Sequence, residues 1–431
     1  MLKHNAIVEI KAEQDAMNLY DQLFLQALFA ALKGEKVEWN NEISQSDWDA
    51  LFNQAQNQRV LTMIYDAVCM CPAFLRLEEA YRKNLRRISV VLATQQVMKT
   101  NEFWKLIQDM TKKGYEPLVV KGIVCRSLYP HPDYRISNDE DLLISPKLFD
   151  QCCAALDTYG MQRFMAETKD SGAHEVSFVG DDNPLYIELH QYLFSPDSEI
   201  YGEWNRYFEH VYENKIYKEI DGNRVWTLND TDHFFYLICH AFKHFLHSGF
   251  GVRQICDMVM FANEYGAQID WNRIMCRCHE IRAEGFCIAL FAIGRKYLGF
   301  DWEKSCYPKE WQKEAVDEMP MLLDLLSGGV YGKSSMSRVH SSSITLNAVS
   351  SNKKGKKAKL TLKPLLFPAR ADLENKYQYL QKRPYLLPVA WIARIVSYIR
   401  ETRQVQGDAA AESLQIGNER IELLRFYRVI D

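Results

Sequence analysis

The chain of 431 residues lacks several features that would assign it to a common protein class. Basic residues are not in excess, because the formal net charge is −4 and the pI is near 6.3; this argues against binding nucleic acid over the whole surface. The first dozen residues include His4, Glu9 and Lys11 and lack the apolar core of a signal peptide. The apolar segment 385–399 is too short, and too closely flanked by arginine, to span a bilayer. These absences predict a cytoplasmic protein without a transmembrane segment.

Cysteine pairs at zinc-binding spacing are also missing. The chain has 11 cysteines, an odd number, and its closest pairs lack the two-residue gap of a zinc ribbon. The cluster Cys276-Arg-Cys278-His279 is the most metal-like of them, although a buried reduced thiol on a helix is the commoner situation. The cysteines therefore favour a reducing compartment, in agreement with the cytoplasm.

The stretch from Pro117 to Ile144 carries the strongest local pattern in the chain. An apolar run at 118–120 stops at Lys121-Gly122, and apolar residues at helical spacing follow up to Leu128. This pattern predicts a strand, a glycine turn and a helix. A helix that begins directly after a glycine presents unpaired N–H groups with partial positive charge, to which the lysine adds a full charge. The turn therefore suits a phosphate group.

Two carboxylates follow in the same stretch. Asp139 and Asp141 lie at i and i+2 on a predicted strand, so both project from one face, roughly 7 Å apart at Cα. Their repulsion either raises one pKa or is relieved by a cation between them. Mg²⁺ binds one or two carboxylates and completes its shell with water and substrate phosphates. The pair therefore predicts a site for Mg²⁺ and a nucleoside triphosphate; the alternative is two surface acids at the start of a strand.

These residues resemble the uncharacterised nucleotidyltransferase family of the DNA polymerase β superfamily. The resemblance rests on Lys121-Gly122, on Leu128-Tyr129-Pro130, on Arg135 and on the Asp139-x-Asp141-Leu-Leu strand, and it covers about 48–261 and, more loosely, up to 394. It implies a small mixed sheet, two divalent ions and attack of an acceptor hydroxyl on the α-phosphate of a nucleotide.

The chain departs from the superfamily at two positions. Ile123 follows the glycine where a serine is usual, and Glu140 stands between the aspartates where an apolar residue is usual. Because neighbouring residues of a strand point to opposite faces, Glu140 is expected to be either partly exposed or paired with a cation.

The superfamily also has a third carboxylate on a neighbouring strand. The candidate is Glu188 in the strand-like run 185–190, where His190 shares its face at i+2. The resemblance implies that Asp139, Asp141 and Glu188 bind two Mg²⁺ ions as the catalytic and metal-binding residues, with Glu188 as an alternative base. We expect His190 to lie beside this acidic trio.

The remaining site residues are implied to contact the substrate. Lys121 and the N–H groups around Gly122 would hold the β- and γ-phosphates. Arg135 would either neutralise charge in the transition state or pair with Glu140. His240 and His244 have the i, i+4 spacing of zinc ligands, but they are also explained by contact with the nucleotide or by packing.

The fold is predicted as α+β, with a small mixed β-sheet nucleotidyltransferase core flanked by N- and C-terminal α-helical bundles. The regions are a helical region at 1–113, the core at 114–200, a helical region at 201–325, a basic flexible loop at 326–371 and a helical tail at 372–431. The loop lacks acidic residues and carries a run of lysines from Lys353 to Lys363. It is either a solvated linker or a strap for an anionic partner such as RNA or a membrane.

The predicted activity is Mg²⁺-dependent transfer of a nucleoside monophosphate from a nucleoside triphosphate to a hydroxyl acceptor. A small molecule, tRNA or protein is compatible as acceptor. Two alternatives remain open. One is a catalytically degenerate nucleotide-binding or regulatory protein, and the other is a toxin-like enzyme that nucleotidylates tRNA or a protein.

Overall fold

The computed structural model describes residues 17–164, 174–247, 249–328, 336–353, 373, 377, 379–393 and 409–431. The described chain ahead of the first strand folds into helices joined by short connections, as its apolar spacing predicts. These helices are α1 (Leu19–Lys33), α2 (Gln45–Asn57), α3 (Leu61–Val68), α4 (Pro72–Leu75) and α5 (Glu79–Lys112). Ser44 caps α2, because its side chain accepts a hydrogen bond from the Asp47 N–H at 3.2 Å.

The described strands form one mixed seven-stranded sheet with the order β3-β4-β5-β2-β1-β7-β6. The strands are β1 (Leu118–Val120), β2 (Glu140–Leu143), β3 (Met161–Arg163), β4 (Glu175–Gly180), β5 (Tyr186–His190), β6 (Ile216–Ile220) and β7 (Asn223–Thr227). Two short helices lie between them, α6 (Gly122–Arg126) and α7 (Phe149–Tyr159). Strand β2 pairs antiparallel with β1 and parallel with β5, and all four of its residues are buried. The predicted mixed sheet with flanking helices is confirmed.

The predicted helical region at 201–325 requires a correction. Strands β6 and β7 form a hairpin within it, and β7 extends the sheet by pairing parallel with β1. Asp221 and Gly222 connect the two strands with positive φ values of 52° and 74°. An Asp-Gly pair between alternating apolar residues is a strong hairpin signal, so this hairpin was predictable from the sequence.

Helices cover the sheet after this hairpin. They are α8 (Asp230–Leu246), α9 (Val252–Tyr265), α10 (Trp271–Glu280), α11 (Glu284–Tyr297), α12 (Lys309–Lys313) and α13 (Met319–Gly328). Thirteen of the 17 residues of α8 are buried, so this helix is central rather than peripheral. Its buried side chains belong to the same hydrophobic core as those of the sheet and of the N-terminal helices.

The predicted basic flexible loop at 326–371 is also corrected in part. Residues Met336–Lys353 form helix α14, whose Ile344, Ala348 and Val349 are buried. The Thr345 hydroxyl donates to the backbone carbonyl of His247 at 3.1 Å, which ties α14 to the end of α8. The lysines from Lys354 to Lys363 lie outside the described residues.

The described part of the predicted helical tail is helical. It contains α15 (Tyr379–Lys382), α16 (387–393) and α17 (Ala409–Phe426), and α17 packs against α14. In the part of the chain that the structure describes, no helix is long and apolar enough to cross a membrane.

The turn between β1 and α6 is shaped by a buried carboxylate on β2. Glu140 is fully buried, accepts a hydrogen bond from the Ile123 N–H at 2.9 Å and pairs with Arg126 at 2.9 Å. The expectation that Glu140 is paired with a cation therefore holds, with Arg126 as the cation. A Cβ atom at Gly122 would lie 1.9 Å from Glu140 Oε2, so the close approach of this carboxylate excludes any side chain there.

Gly122→Ala is expected to destabilise the fold more than an alanine substitution at a glycine without neighbours. Overpacking against Glu140 adds about 1 to 3 kcal/mol to the cost of a positive φ. Gly114 is the matched control, because its φ of 83° is also positive but nothing lies within 4 Å of its added Cβ. The control should lose only about 1 to 2 kcal/mol of the free energy of unfolding in denaturant titrations. Equal losses at both positions would show that Glu140 moves away without cost.

Candidate active site

The candidate site begins at Lys121, which joins β1 to α6 in a strained backbone conformation. Its φ of 53° and ψ of −117° belong to a region that favours glycine. The Lys121 N–H donates to His233 Nε2 at 3.0 Å, and the other ring nitrogen lies 3.1 Å from the Thr227 hydroxyl. That hydroxyl donates to the Val119 carbonyl at 2.6 Å, so it accepts a hydrogen bond from the N–H at His233 Nδ1. Burial, with the nearby lysines, lowers the pKa of His233 to about 3, in agreement with this neutral ring.

The Lys121 ammonium group connects the sheet to helix α8. It lies 2.9 Å from Asp141 Oδ2 and 3.0 Å from His240 Nε2. Burial opposes its charge, but the Asp141 carboxylate and its neighbours outweigh burial and raise the pKa of Lys121. Burial and the ammonium group hold the pKa of His240 well below its usual value, so His240 Nε2 is a neutral acceptor.

The tautomer of His240 determines the orientation of the Gln254 side-chain amide. Because Nε2 accepts from Lys121, the proton is on Nδ1, which lies 3.2 Å from the Gln254 side-chain amide. The buried Gln254 Oε1 has no hydrogen-bond partner among the described residues, so reversing the amide supplies the acceptor that Nδ1 requires. His244 Nε2 lies 3.3 Å from His240 Nε2. Among the described residues these two histidines are not part of a group of three possible metal ligands; His240 contacts Lys121 and His244 contacts His240.

Asp141, Glu188 and His190 form the centre of the site. Strands β2 and β5 are parallel, and their register places Asp141 directly opposite Glu188. One donor atom from each of the three residues lies within 4.8 Å of the others. His190 Nε2 lies 3.2 Å from Asp141 Oδ1 and 3.8 Å from Glu188 Oε2. On its other side, Glu175 Oε2 lies 3.3 Å from His190 Nδ1, within ion-pair distance but off the line of a hydrogen bond.

The two central carboxylates have opposite pKa shifts. Burial alone would raise the pKa of Asp141, but Lys121 and His190 lower it, so Asp141 is ionised. Burial and the charges of Asp141, Asp139 and Glu175 raise the pKa of Glu188 to about 8. Burial opposes the charged form of His190, but the hydrogen bond to Asp141 and the carboxylates around it raise its pKa. The structure therefore separates an ionised carboxylate from one that holds a proton at neutral pH.

Asp139 and Arg135 occupy less central positions. Asp139 directly precedes β2 and is half-buried; it lines the same cleft but is not one of the three converging donors. The Arg135 guanidinium pairs with Asp257 through two contacts, one of them 3.0 Å from Nε to Oδ1. The predicted alternative in which Arg135 pairs with Glu140 is therefore wrong. The hydroxyl of Tyr129 also donates to Asp257, at 2.8 Å.

A cleft of about 320 Å³ is lined by all of the predicted site residues except His190. Lys121, Gly122, Arg135, Asp139, Asp141 and Glu188 all line it, and His190 lies beneath. Sequence reasoning missed Arg59, Glu175, Lys243 and Arg253, which also line the cleft. One local signal was available for Lys243. It lies three residues after His240 on α8, and this i, i+3 spacing puts both side chains on the same face of the helix. Nothing local marks the others, which come from separate elements.

Glu188→Gln is expected to stabilise the metal-free protein at high pH. The folded pKa of about 8 lies above the ordinary value of 4.5, so the ionised carboxylate costs stability increasingly as pH rises from 4.5 to 8. Thermal and denaturant unfolding with a chelator should show a gain on the order of 1 to 3 kcal/mol above pH 8. The gain should vanish near pH 4.5. Glu209 is exposed, so Glu209→Gln is the control. If Glu188→Gln increased the free energy of unfolding equally at all pH values, the ionisation of Glu188 would not be the cause.

The comparisons with known proteins agree with this geometry. Residues 44–299, more than half of the chain, match the model of a family described as an uncharacterised nucleotidyltransferase. No curated protein and no solved structure matches the chain. The matched range contains the whole sheet, helices α2 to α11 and every residue of the cleft. By this match, the chain belongs to the uncharacterised nucleotidyltransferase family.

Proposed function

We propose that the chain is an enzyme that transfers a nucleoside monophosphate from a nucleoside triphosphate to a hydroxyl acceptor. The observation that carries this proposal is the convergence of Asp141, Glu188 and His190 at adjacent positions of β2 and β5, within a cleft that also contains basic side chains. The position of the acids on neighbouring strands, after a strand–turn–helix unit, supports placing the family in the DNA polymerase β superfamily.

The donor atoms of the site suit a divalent cation. Asp141 and Glu188 supply carboxylate oxygens, which Mg²⁺ prefers, and the raised pKa of Glu188 reflects a repulsion that a cation would relieve. The imidazole of His190 is a ligand more typical of transition metals, but it already contacts Asp141 and Glu175. A bound ion would neutralise triphosphate charge and polarise the acceptor hydroxyl. The second ion, with Asp139 as a ligand, stays a prediction.

The residues of the chain itself have distinct roles in this proposal. Lys121 keeps Asp141 ionised and holds its carboxylate in place through the 2.9 Å contact. Glu188 lines the cleft, and a bound cation would relieve its raised pKa and leave it ionised; it would then either bind that ion or accept the proton of the acceptor hydroxyl as the general base. At about 320 Å³ the cleft is within the range of small-molecule sites, near its lower end.

Asp141→Asn is expected to abolish nucleotidyl transfer and metal-dependent nucleotide binding while the protein remains folded. The amide loses the charge that both Lys121 and a divalent ion require. Calorimetry with ATP, GTP, CTP and UTP, each with and without Mg²⁺, measures binding, and release of pyrophosphate measures transfer. Asp150→Asn makes the same chemical change at an exposed position on α7 and should behave as wild type. Metal-dependent binding or turnover retained by Asp141→Asn would refute the assignment.

The same calorimetry separates transfer from the regulatory alternative. If the wild type binds a nucleotide with metal but releases no pyrophosphate with any acceptor, the degenerate binding protein is the better description. If wild type and Asp141→Asn bind equally, the nucleotide does not occupy the cleft.

The class of acceptor is tested at the lysine run that follows α14. Deleting 333–363 would remove the buried Ile344 and Ala348, so it would disturb the core as well as the charge. Replacing Lys354, Lys356, Lys357, Lys359 and Lys363 by glutamine changes charge without removing α14. An RNA-directed enzyme should then bind RNA more weakly and with a shallower dependence on salt. Unchanged RNA affinity would leave a small-molecule or protein acceptor.

A further inference from the structure

Three basic side chains of the cleft lack a carboxylate partner within the described part of the chain. The ammonium of Lys121 pairs with Asp141 and the guanidinium of Arg135 pairs with Asp257. By contrast, Arg59, Lys243 and Arg253 line the cleft without an ion pair to any described residue. We call these three residues the cationic wall. Cations held in a half-buried cleft without counter-ions are expected to bind an anion there.

Arg253 shows this lack of a counter-ion most clearly. It lies on α9, and one guanidinium nitrogen donates to the Ile136 carbonyl. Burial, with the charge of Arg135, lowers its pKa to about 10, although Asp257 and Asp139 act in the opposite direction. A guanidinium group has five N–H donors in a planar fork that matches the oxygens of a phosphate. Its remaining donors are therefore available to a ligand in the cleft.

Lys243 lies on α8 and lines the same cleft. Burial lowers its pKa, while the charges of Glu175, Glu188 and Asp141 partly restore it, so these carboxylates are its electrostatic neighbours. Its ammonium lies 5.3 Å from the centre of the Tyr201 ring, a contact that leaves its N–H donors open to a ligand. Arg253 on α9 and Lys243 on α8 thus line the same cleft as Asp139 and Glu175, so two helices bring positive charge to the cleft that contains the acids.

The glycine turn is a poorer phosphate site than its sequence predicts. The Lys121 N–H already donates to His233, and the Ile123 N–H already donates to Glu140. The Lys121 ammonium is shared between Asp141 and His240. Of the donors expected to hold phosphates, most are therefore engaged within the protein. Gly122 itself is required by the approach of Glu140.

We infer that the cationic wall of Arg59, Lys243 and Arg253, and not the turn at Gly122, binds the β- and γ-phosphates of a nucleoside triphosphate. The nature of the ligand rests on the proposed function, whereas the existence of a polyphosphate site depends only on the unpaired cations. The α-phosphate then lies between the wall and the acidic group, beside Glu188.

Inorganic tripolyphosphate without divalent metal is the probe, because it carries the charge of the triphosphate without base, sugar or ion. Calorimetry at low ionic strength should show binding to the wild type, and Arg253→Gln, Lys243→Met and Arg59→Gln should each weaken it by about tenfold. The dependence of affinity on salt should become shallower in each variant. Arg87→Gln and Lys83→Met remove the same charges from exposed positions on α5 and should stay within about twofold of wild type.

Two results would overturn the inference. One is the absence of tripolyphosphate binding by the folded wild type. The other is unchanged affinity for tripolyphosphate in the variant that lacks all three cations. If Lys121→Met alone then loses tripolyphosphate binding, the turn at Gly122 is the phosphate site. Thermal unfolding of each variant confirms that the loss is local.

Asp141→Asn distinguishes this inference from the proposed function. That variant removes a negative charge, so it should bind tripolyphosphate at least as tightly as wild type while losing transfer. If the wall variants lose tripolyphosphate but the wild type transfers no nucleotide, the phosphate site stands and the enzyme assignment fails. If transfer occurs and the wall variants keep the wild-type KM for nucleotide, the phosphate assignment fails and the enzyme stands.

Discussion

The ion pair between Lys121 and Asp141 connects the parts from which the site is built. Lys121 ends the central strand β1, Asp141 lies on the adjacent β2, and the same ammonium contacts His240 on α8. The Lys121 N–H also donates to His233, which lies two turns before His240 on one face of α8, so the backbone and the side chain of one lysine both attach to that helix. A buried ion pair is a weak source of net stability, but removing one partner leaves an uncompensated charge. The pair therefore fixes where sheet and helix meet rather than how stable the fold is.

Strand β2 carries two adjacent carboxylates in different surroundings. Neighbouring residues of a strand point to opposite faces, so Asp141 faces the cleft while Glu140 faces the core behind it. There Glu140 binds the Ile123 N–H and Arg126, and Arg126 in turn donates to the Thr100 hydroxyl on α5 at 3.2 Å. The charged residue that departs from the superfamily pattern is thus a structural one. It holds α6 against β2 and keeps the Lys121 turn in its strained conformation.

The sequence predicted those parts of the site that depend on local spacing. The order of β1, the glycine turn and β2 is visible in 28 consecutive residues, and the alternation in β5 places Glu188 and His190 on one face. The contacts of Arg135 with Asp257 and of Lys121 with His240 join residues more than 100 positions apart in the chain. The periodicity of a helix or strand predicts only local neighbours, so it could not predict these contacts. Helix α14 was missed for another reason. Its serines, followed by a run of lysines, resemble a linker, and the packing of Ile344 against α17 reveals its buried face.

The cleft contains both carboxylates and basic side chains, as binding of a metal–triphosphate complex would require. A site made only of carboxylates would repel a triphosphate, and a site made only of cations would not hold a divalent ion. In this cleft the acids of β2 and β5 share the lining with basic side chains, among them Arg253 of α9 and Lys243 of α8. A metal–triphosphate complex also carries both signs of charge, a cation bound to anionic groups, and is therefore complementary to such a lining. Because the two sets of side chains come from different elements, the sheet for the acids and helices α8 and α9 for two of the cations, binding such a complex would hold sheet and helices together across the cleft.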